Sequence, residues 1–114
     1  MVPPDALFLG HMLTATDRIV ELIERTEPEA FSGDWVLQDA VMRELEVLGE
    51  AAGRVSADFA RAHPEIPWQE ITGLRHKLIH DYFEVDLDIV WRTASVDVPE
   101  VLPLIRAAAE DVGG

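Results

Sequence analysis

Apolar residues recur at helical spacing through two long stretches in the first half of the chain. In residues 5–26 the recurring positions are three or four residues apart and lie on one face of a helix: Leu9, Leu13, Thr16, Val20 and Ile23. Two prolines stand just before this stretch, and Asp5 suits the N-cap position. The pattern predicts an amphipathic first helix.

The second stretch begins at Asp34 or Gln38 and ends at Val55. Its apolar stripe has the same spacing and consists of Val41, Leu45, Leu48, Ala52 and Val55. Gly49 lies beside this stripe, at a point where the missing side chain would let another helix approach closely. The pattern predicts a second amphipathic helix.

Proline and glycine mark the connections. Residues 27–35 contain Pro, Gly, Ser and Asp, which predicts a connection with a short helical turn around Ala30. Two prolines at positions 64 and 67 predict that a helix after Ser56 ends near His63. A third long helix is then predicted over residues 67–83.

The last third of the chain also shows helical signals. Asp86 or Asp88 is suited to cap a fourth helix that runs through Trp91. Pro99 fits the first turn of a fifth helix, or of a kinked continuation of the fourth, whereas Pro103 would strain a helix interior.

No segment alternates apolar and polar residues in the way that a β-strand requires. The chain is therefore predicted to be all-α, an antiparallel bundle of four to five helices joined by short connections. At 114 residues, without a low-complexity tract or an evident linker, residues 1–114 are expected to form one domain.

Composition narrows the chemistry. Cysteine is absent, which excludes disulfides and thiolate catalysis. The formal net charge of -13 argues against a broad nucleic-acid-binding surface but leaves room for a local basic cleft. No apolar run approaches the length of about 20 residues that spans a bilayer, and no signal peptide is evident, so we expect no membrane association and a cytoplasmic location.

Against this acidic background, the stretch GLRHKLIHDYFEVD at residues 73–86 concentrates basic and aromatic residues. On a helical wheel Arg75 falls among apolar residues, so its guanidinium should be paired, lie at a subunit boundary or line a cleft. A buried ion pair with Glu44 or Glu50 is one interpretation, and a functional arginine is the other.

His76 and His80 are four residues apart, which is the spacing of metal ligands on a helix. However, Lys77 stands where zinc hydrolases place a glutamate, and no third ligand is evident, so the sequence favours no metal site. Arg75 and His80 are about 140° apart on an ideal helix, so a distortion, a helix end or a two-fold dimer is needed to aim both at one atom.

The spacing Arg75, four residues, His80, one residue, Tyr82 resembles the RxxxxHxY motif of the HepT-like toxins, small helical ribonucleases of the HEPN superfamily. Three further segments of the sequence resemble the same family: DAVMRELEVLGEAAGRVS, PEIPWQEITGLRHKLIHDYFEVDLDIVW, which contains the motif, and DVPEVLPLI. The resemblance covers roughly residues 39–105. His76 departs from the family pattern, which usually has asparagine after the motif arginine.

The resemblance implies a homodimeric, HEPN-like toxin that cleaves RNA in a cleft between subunits without a metal or other cofactor. It implies that Arg75 and His80 are the catalytic pair, and that an MntA-type nucleotidyltransferase antitoxin silences the enzyme by adding AMP to Tyr82. His76 and Lys77 are candidates for a second proton transfer or for phosphate binding.

Two other interpretations remain open. A non-catalytic, dimeric helical module could dock a basic partner protein through its acidic surface, with Arg75 in an interfacial ion pair. Alternatively, the chain could position a substrate for a nucleotidyltransferase, although it contains no glycine-rich phosphate-binding loop of its own.

Overall fold

The computed structural model describes residues 4–78 and 84–113, which fold into α-helices without a β-strand. The helical segments are α1 (Pro4–Glu24), α2 (Pro28–Phe31), α3 (Trp35–Arg54), α4 (Ala57–Ala62), α5 (Trp68–Thr72), α6 (Leu74–Leu78), α7 (Leu87–Arg92) and α8 (Val98–Gly113), with a π-helical turn at Thr93–Asp97. The predicted all-α fold is confirmed. The described helical segments outnumber the four to five predicted, because several of them are short.

The predicted N-cap role of Asp5 is wrong, because the described part of α1 already includes Asp5. Asp5 lies inside the first turn, where its carboxylate accepts hydrogen bonds from the backbone N–H and the hydroxyl of Ser56, at 2.8 and 2.7 Å. Ser56 in turn caps α4 by accepting a hydrogen bond from Phe59 N–H at 3.1 Å. The carboxylate therefore joins the start of α1 to the start of α4.

The buried face of α1 is rotated slightly from the predicted stripe. Its fully buried residues are Leu9, Met12, Ala15, Thr16 and Ile19, whereas Leu13, Val20 and Ile23 are only partly buried. The hydroxyl of Thr16 donates to the carbonyls of Met12 and Leu13, at 3.0 and 2.9 Å, which satisfies a polar group inside the core.

Helices α1 and α3 are antiparallel, as their pairwise contacts show. Asp5 contacts Ser56 just beyond the end of α3, Phe8 lies under Arg54, and Arg18 pairs with Glu44, so residue numbers rise along one helix as they fall along the other. Helix α8 packs on α1 as well.

The prediction for α3 and its preceding connection is confirmed. Asp34 caps α3 by accepting a hydrogen bond from Leu37 N–H at 3.0 Å, and α2 forms the short turn expected around Ala30. The amide of Gln38 donates to the carbonyl of Phe31 at 2.8 Å, which ties α2 to α3. The predicted stripe is buried throughout: Val41, Leu45, Leu48, Ala52 and Val55.

Helix α4 ends before His63 as predicted, and α5 follows Pro67. The indole N–H of Trp68 donates to the carbonyl of His63 at 3.0 Å, which closes the proline-containing connection. Ile66 within this connection is buried in the core.

The predicted long helix over residues 67–83 is wrong for its described part. A turn at Gly73 separates α5 from α6, because the ψ angle of 3° at Gly73 departs from the helical value. A Cβ at this position would lie 3.1 Å from the carbonyl oxygen of Gln69, which explains why glycine suits this tight turn. The predicted extension through residues 79–83 lies outside the described residues.

Of the two arrangements that the sequence left open, the last helices form the continuation, because α7, a π-helical turn and α8 follow one another without a break. Asp86 caps α7 by accepting hydrogen bonds from the N–H groups of Asp88 and Ile89, both at 3.1 Å. A π-helical turn then joins α7 to α8, and Pro99 follows it in the first turn of α8 as predicted. Since Pro99 cannot donate a backbone hydrogen bond, the regular ladder is interrupted at this point; Pro103 lies inside α8.

Buried residues from α1, α2, α3, α5 to α8 and the connections form one hydrophobic cluster. Its largest fully buried members are Leu9, Met12, Ile19, Leu45, Leu48, Ile66 and Ile105. Among the described helices, none is both long and apolar enough to cross a membrane.

Candidate functional site

The candidate site is positioned by a close contact between α3 and α5. A Cβ at Gly49 would lie 3.0 Å from the carbonyl oxygen of Ile71, so the absence of a side chain permits this approach. The close approach expected at Gly49 is thus confirmed. It brings the turn at Gly73, and with it the start of α6, onto the surface of α3.

Arg75 lies in the first turn of α6, and its side chain is exposed, whereas Leu74 and Leu78 on the same helix are buried. Arg75 is thus exposed, although the helical wheel groups it with apolar residues. Of the environments that the sequence left open, the structure shows Arg75 at a cleft.

This cleft is an open groove of about 590 Å³ between α1, α3 and the α5–α6 turn. We call it the arginine groove, because three arginines line it: Arg43, Arg54 and Arg75. His11 from α1 contributes a fourth basic side chain, and two glutamates, Glu46 and Glu50, also line the groove. The arginines outnumber the glutamates here, in a chain whose net charge is -13.

Arg54 is held in place by two neighbours. Its Nε and Nη2 atoms donate to Glu50 Oε1 at 3.1 and 2.9 Å, and its guanidinium lies 5.9 Å from the centre of the Phe8 ring. Phe8 also meets the imidazole of His11 edge to face, with ring centres 6.3 Å apart. One side of the groove is therefore a packed arrangement of charged and aromatic groups.

The buried ion pair considered for Arg75 is not formed. Glu44 pairs with Arg18 at 3.5 Å, and Glu50 pairs with Arg54 at 2.9 Å. Within residues 4–78 and 84–113, neither Arg75 nor Arg43 takes part in an ion pair. Both guanidiniums are consequently free to bind an anion that enters the groove.

The two residues after Arg75 lie in different surroundings. His76 is exposed on α6. Lys77 lines a second groove, of about 130 Å³, between α5, α6 and α8, together with Glu70, Asp97 and Glu100. The structure thus separates Lys77 from Arg75, and it places carboxylates around the lysine.

His80 and Tyr82 lie outside the described residues. The described ends of the segment that contains them are close together, because Asp86 N–H donates to the carbonyl of Leu78 at 3.4 Å. Leu78 is the last described residue of α6 and lies three positions after Arg75. The roles of His80 and Tyr82 stay predictions.

His76 and His80 have the sequence spacing of two metal ligands on a helix. In the described part of the chain, no group of three or more His, Asp or Glu side chains is arranged to hold a metal ion. His80 falls outside that part.

Sequence reasoning missed the contribution of α3 to this site. Arg43 and Arg54 are eleven residues apart, which places them within about 20° of each other on an ideal helix and about 16 Å apart along its axis. A wheel of the polar positions of α3 would have shown this alignment. The contribution of His11 from α1 required the tertiary structure, because no local spacing connects it to α3.

Three comparisons with known proteins bear on this site. A family model described as "Ribonuclease HepT-like" matches residues 12–108. Among curated proteins, "Putative RNase MJ1216" of Methanocaldococcus jannaschii is 37% identical over 94% of this chain and 88% of its own length. "Probable ribonuclease HepT" of Thermococcus cleftensis is 42% identical over 82% of this chain and 86% of its own. No solved structure matches.

Proposed function

The chain belongs to the family of HepT-like ribonucleases, and from this membership we propose that it is an endoribonuclease. The observation that carries the proposal is the position of the motif arginine. Arg75 is exposed, free of ion pairs within the described residues, and lines a groove in which arginines outnumber carboxylates. A phosphate group is the anion that such a groove in a ribonuclease would bind.

Arg75 and His80 form the proposed catalytic pair. RNA cleavage without a metal needs a base for the 2′-hydroxyl proton, an acid for the leaving 5′-oxygen, and a cation for the charge that gathers on the phosphoryl oxygens. Histidine titrates near neutral pH and suits either proton transfer, whereas a planar guanidinium binds two phosphate oxygens at once. We assign proton transfer to His80 and transition-state stabilisation to Arg75.

The second of the two proton transfers requires a side chain other than His80 and Arg75. His76 is the first candidate, because it is exposed directly beside Arg75 and carries an imidazole. Lys77 is less well placed for phosphate binding, since Glu70, Asp97 and Glu100 line its groove and would repel an anion. A His76→Asn variant that keeps full activity would leave the second transfer to another residue.

A homodimer is part of the proposal for a geometric reason. On one regular helix, positions five residues apart diverge by about 140°, so a regular helix through Arg75 and His80 would not direct both side chains to one phosphorus atom. Two copies related by a two-fold axis could supply the arginine and the histidine from different subunits. Sedimentation of the purified protein would measure the assembly directly.

We further propose that the enzyme is the toxin of a toxin–antitoxin pair. In this scheme an MntA-type nucleotidyltransferase transfers AMP to the hydroxyl of Tyr82. The added nucleotide would place bulk and negative charge near the catalytic pair, and it would therefore exclude RNA by steric overlap and by repulsion.

A non-catalytic interaction module is the alternative function. It is favoured by the net charge of -13 and by two apolar side chains exposed side by side at the start of α3, Trp35 at 70% and Val36 at 59%. Such a patch can contribute to a protein interface. In this alternative the arginine groove would receive an acidic segment of the partner rather than RNA.

The deciding experiment is incubation of the purified, unmodified protein with total RNA in the presence of EDTA. His80→Ala and Arg75→Ala variants, checked for helicity and assembly, are the matched comparisons. We expect cleavage by the parent protein and none by folded His80→Ala, with 2′,3′-cyclic phosphate ends on the products. Intact RNA with every sample, or full activity of a folded His80→Ala variant, would refute the catalytic assignment.

A further inference from the structure

The arginine groove extends beyond the motif, and none of its residues outside α6 belongs to the RxxxxHxY pattern. Arg43 is exposed on α3, lines the groove, and forms no ion pair with any described residue. It also lines a neighbouring groove of about 370 Å³, together with Arg18 and Arg25. The two adjoining surfaces hold five of the nine lysine and arginine residues of the chain, together with four glutamates. Arg18 and Arg25 each pair with a glutamate of the second groove, so Arg43 is the cation shared by both surfaces that has no ion pair among the described residues.

We infer that this surface is the binding track for single-stranded RNA, and that Arg43 binds a backbone phosphate next to the one held by Arg75. The inference rests on the proposed ribonuclease function and adds to it a substrate-binding residue outside the motif. Single-stranded RNA is favoured because the groove is open and is lined by separate guanidiniums, which can follow a flexible phosphate backbone.

The arginines of the groove differ in how much of their positive charge is available to bind phosphate. Arg54 is neutralised in part by Glu50, to which it donates two hydrogen bonds, so its contribution to phosphate binding is the smaller one. Arg43 has no such partner among the described residues, and its full charge is available. Removal of the Arg43 side chain should therefore weaken RNA binding more than removal of the Arg54 side chain.

Removal of the negative charge of Glu46 should change the RNA affinity in the direction opposite to removal of Arg43. Glu46 is exposed, lies one turn of α3 from Arg43, and lines the same groove. A phosphate that binds Arg43 would be repelled by this carboxylate. If RNA follows the groove, the loss of one charge at position 43 and the loss of the opposite charge at position 46 must change the affinity in opposite directions.

The experiment measures binding of a short, fluorescent single-stranded RNA whose 2′-hydroxyls are methylated, so that it cannot be cleaved by 2′-hydroxyl attack. We expect Arg43→Ala to weaken binding by about tenfold and to reduce the slope of log affinity against log salt by about 0.7. Glu46→Gln should strengthen binding. Arg92→Ala and Glu29→Gln are the matched controls, since each removes the same charge from an exposed position that does not line the groove and has no ion pair with a described residue.

Cleavage of unmodified RNA is measured in parallel, under single-turnover conditions. Arg43→Ala should require a higher protein concentration for half-maximal cleavage, with the rate at saturation unchanged, because Arg43 is assigned to binding and not to the chemical step. Sedimentation of each variant reports whether assembly has changed.

The outcomes separate this inference from the proposed function. If the parent cleaves RNA but Arg43→Ala and Glu46→Gln bind as their controls do, the binding track is refuted and the ribonuclease stands. If the parent cleaves no RNA but the two variants change affinity in opposite directions, the track stands and the catalytic proposal falls. A change of assembly in Arg43→Ala, without a change in RNA affinity, would identify the groove as a contact between copies and refute the inference.

Discussion

Gly49 of α3 and Ile71 of α5 are packed so closely that a Cβ at Gly49 would lie 3.0 Å from the carbonyl oxygen of Ile71. Such a distance is tighter than ordinary van der Waals contact between a side chain and a backbone atom. The contact holds the α5–α6 turn against α3, and it thereby determines where Arg75 enters the arginine groove.

Substitution of Gly49 by alanine should destabilise the protein, although alanine is the better helix former. The gain in helix propensity is about 1 kcal/mol, whereas forcing α5 away from α3 is expected to cost about 1–3 kcal/mol. We expect a net decrease in the free energy of unfolding, measured by urea denaturation. We also expect weaker RNA cleavage, because a displacement of α5 would also displace Arg75 on the adjoining helix α6.

Gly53→Ala is the matched control on the same helix. A Cβ at Gly53 would meet Thr72 Cγ2 at 3.9 Å, which is an ordinary contact. Alanine should therefore leave the protein as stable as the parent or stabilise it by up to about 1 kcal/mol. Equal effects of the two substitutions would contradict the importance of the close contact.

His63 should make the folded state less stable as the pH rises through its pKa. Its Nδ1–H donates to the carbonyl of Phe59 at 3.1 Å, and its Nε2 lies 3.2 Å from Asp111 Oδ2. These contacts, the backbone hydrogen bond first and Asp111 next, raise the pKa of His63 above its ordinary value despite its partial burial, which acts to lower it. The stabilisation is present below the unfolded-state pKa of about 6.5 and is lost above the folded-state pKa.

An NMR titration of the imidazole resonances measures the pKa of His63 directly. Asp111→Asn should lower that pKa and should reduce the decline in unfolding free energy between mildly acidic and mildly alkaline pH. A pKa at or below the value of an unstructured histidine would contradict this prediction.

The Asp5–Ser56 contact predicts a measurable coupling between the start of α1 and the start of α4. Asp5→Ala removes both hydrogen bonds and should cost about 1–2 kcal/mol of unfolding free energy. Ser56→Ala also removes the N-cap of α4, at a cost of about 1 kcal/mol. The double variant should cost less than the two single variants added together, and strict additivity in this cycle would argue against a direct interaction.

Modification of Tyr82 is the prediction that concerns the proposed antitoxin. Co-expression with an MntA-type nucleotidyltransferase should add the mass of an AMP group to the peptide that contains Tyr82, and the modified protein should no longer cleave RNA. Tyr82→Phe lacks the acceptor hydroxyl, so it should stay unmodified and remain active during co-expression. An inhibited protein without a nucleotide adduct would point to inhibition by binding alone.

Much of the helical framework could be predicted from the sequence. The stripe of α3 was correctly predicted, and so were one of the two starts considered for α3, at Asp34, and one of the two caps considered for α7, at Asp86, because they depend on residues close together in the chain. The end of α4 and the start of α5 were also correct, since proline restricts its own backbone and that of the residue before it.

The wrong predictions concern positions where contacts between residues far apart in the chain outweigh the local conformational preference. Asp5 has the chemistry of an N-cap, but it binds Ser56, 51 residues away, and so caps nothing in its own helix. The helix predicted over residues 67–83 is divided at Gly73, where the ψ angle of 3° departs from the helical value and ends α5. A wheel drawn through that glycine placed Arg75 among buried residues.

By itself, the sequence determined the all-α class, the main helix boundaries and the motif residues Arg75, His80 and Tyr82, because helical periodicity, capping and motif spacing are properties of neighbouring residues. Only the tertiary structure decided that Arg75 is exposed and that Arg43, Arg54 and His11 share its groove. That decision depends on how closely α1, α3 and α5 approach one another, and the approach is set by packing at Gly49 and the turn at Gly73, across distances that no local pattern encodes.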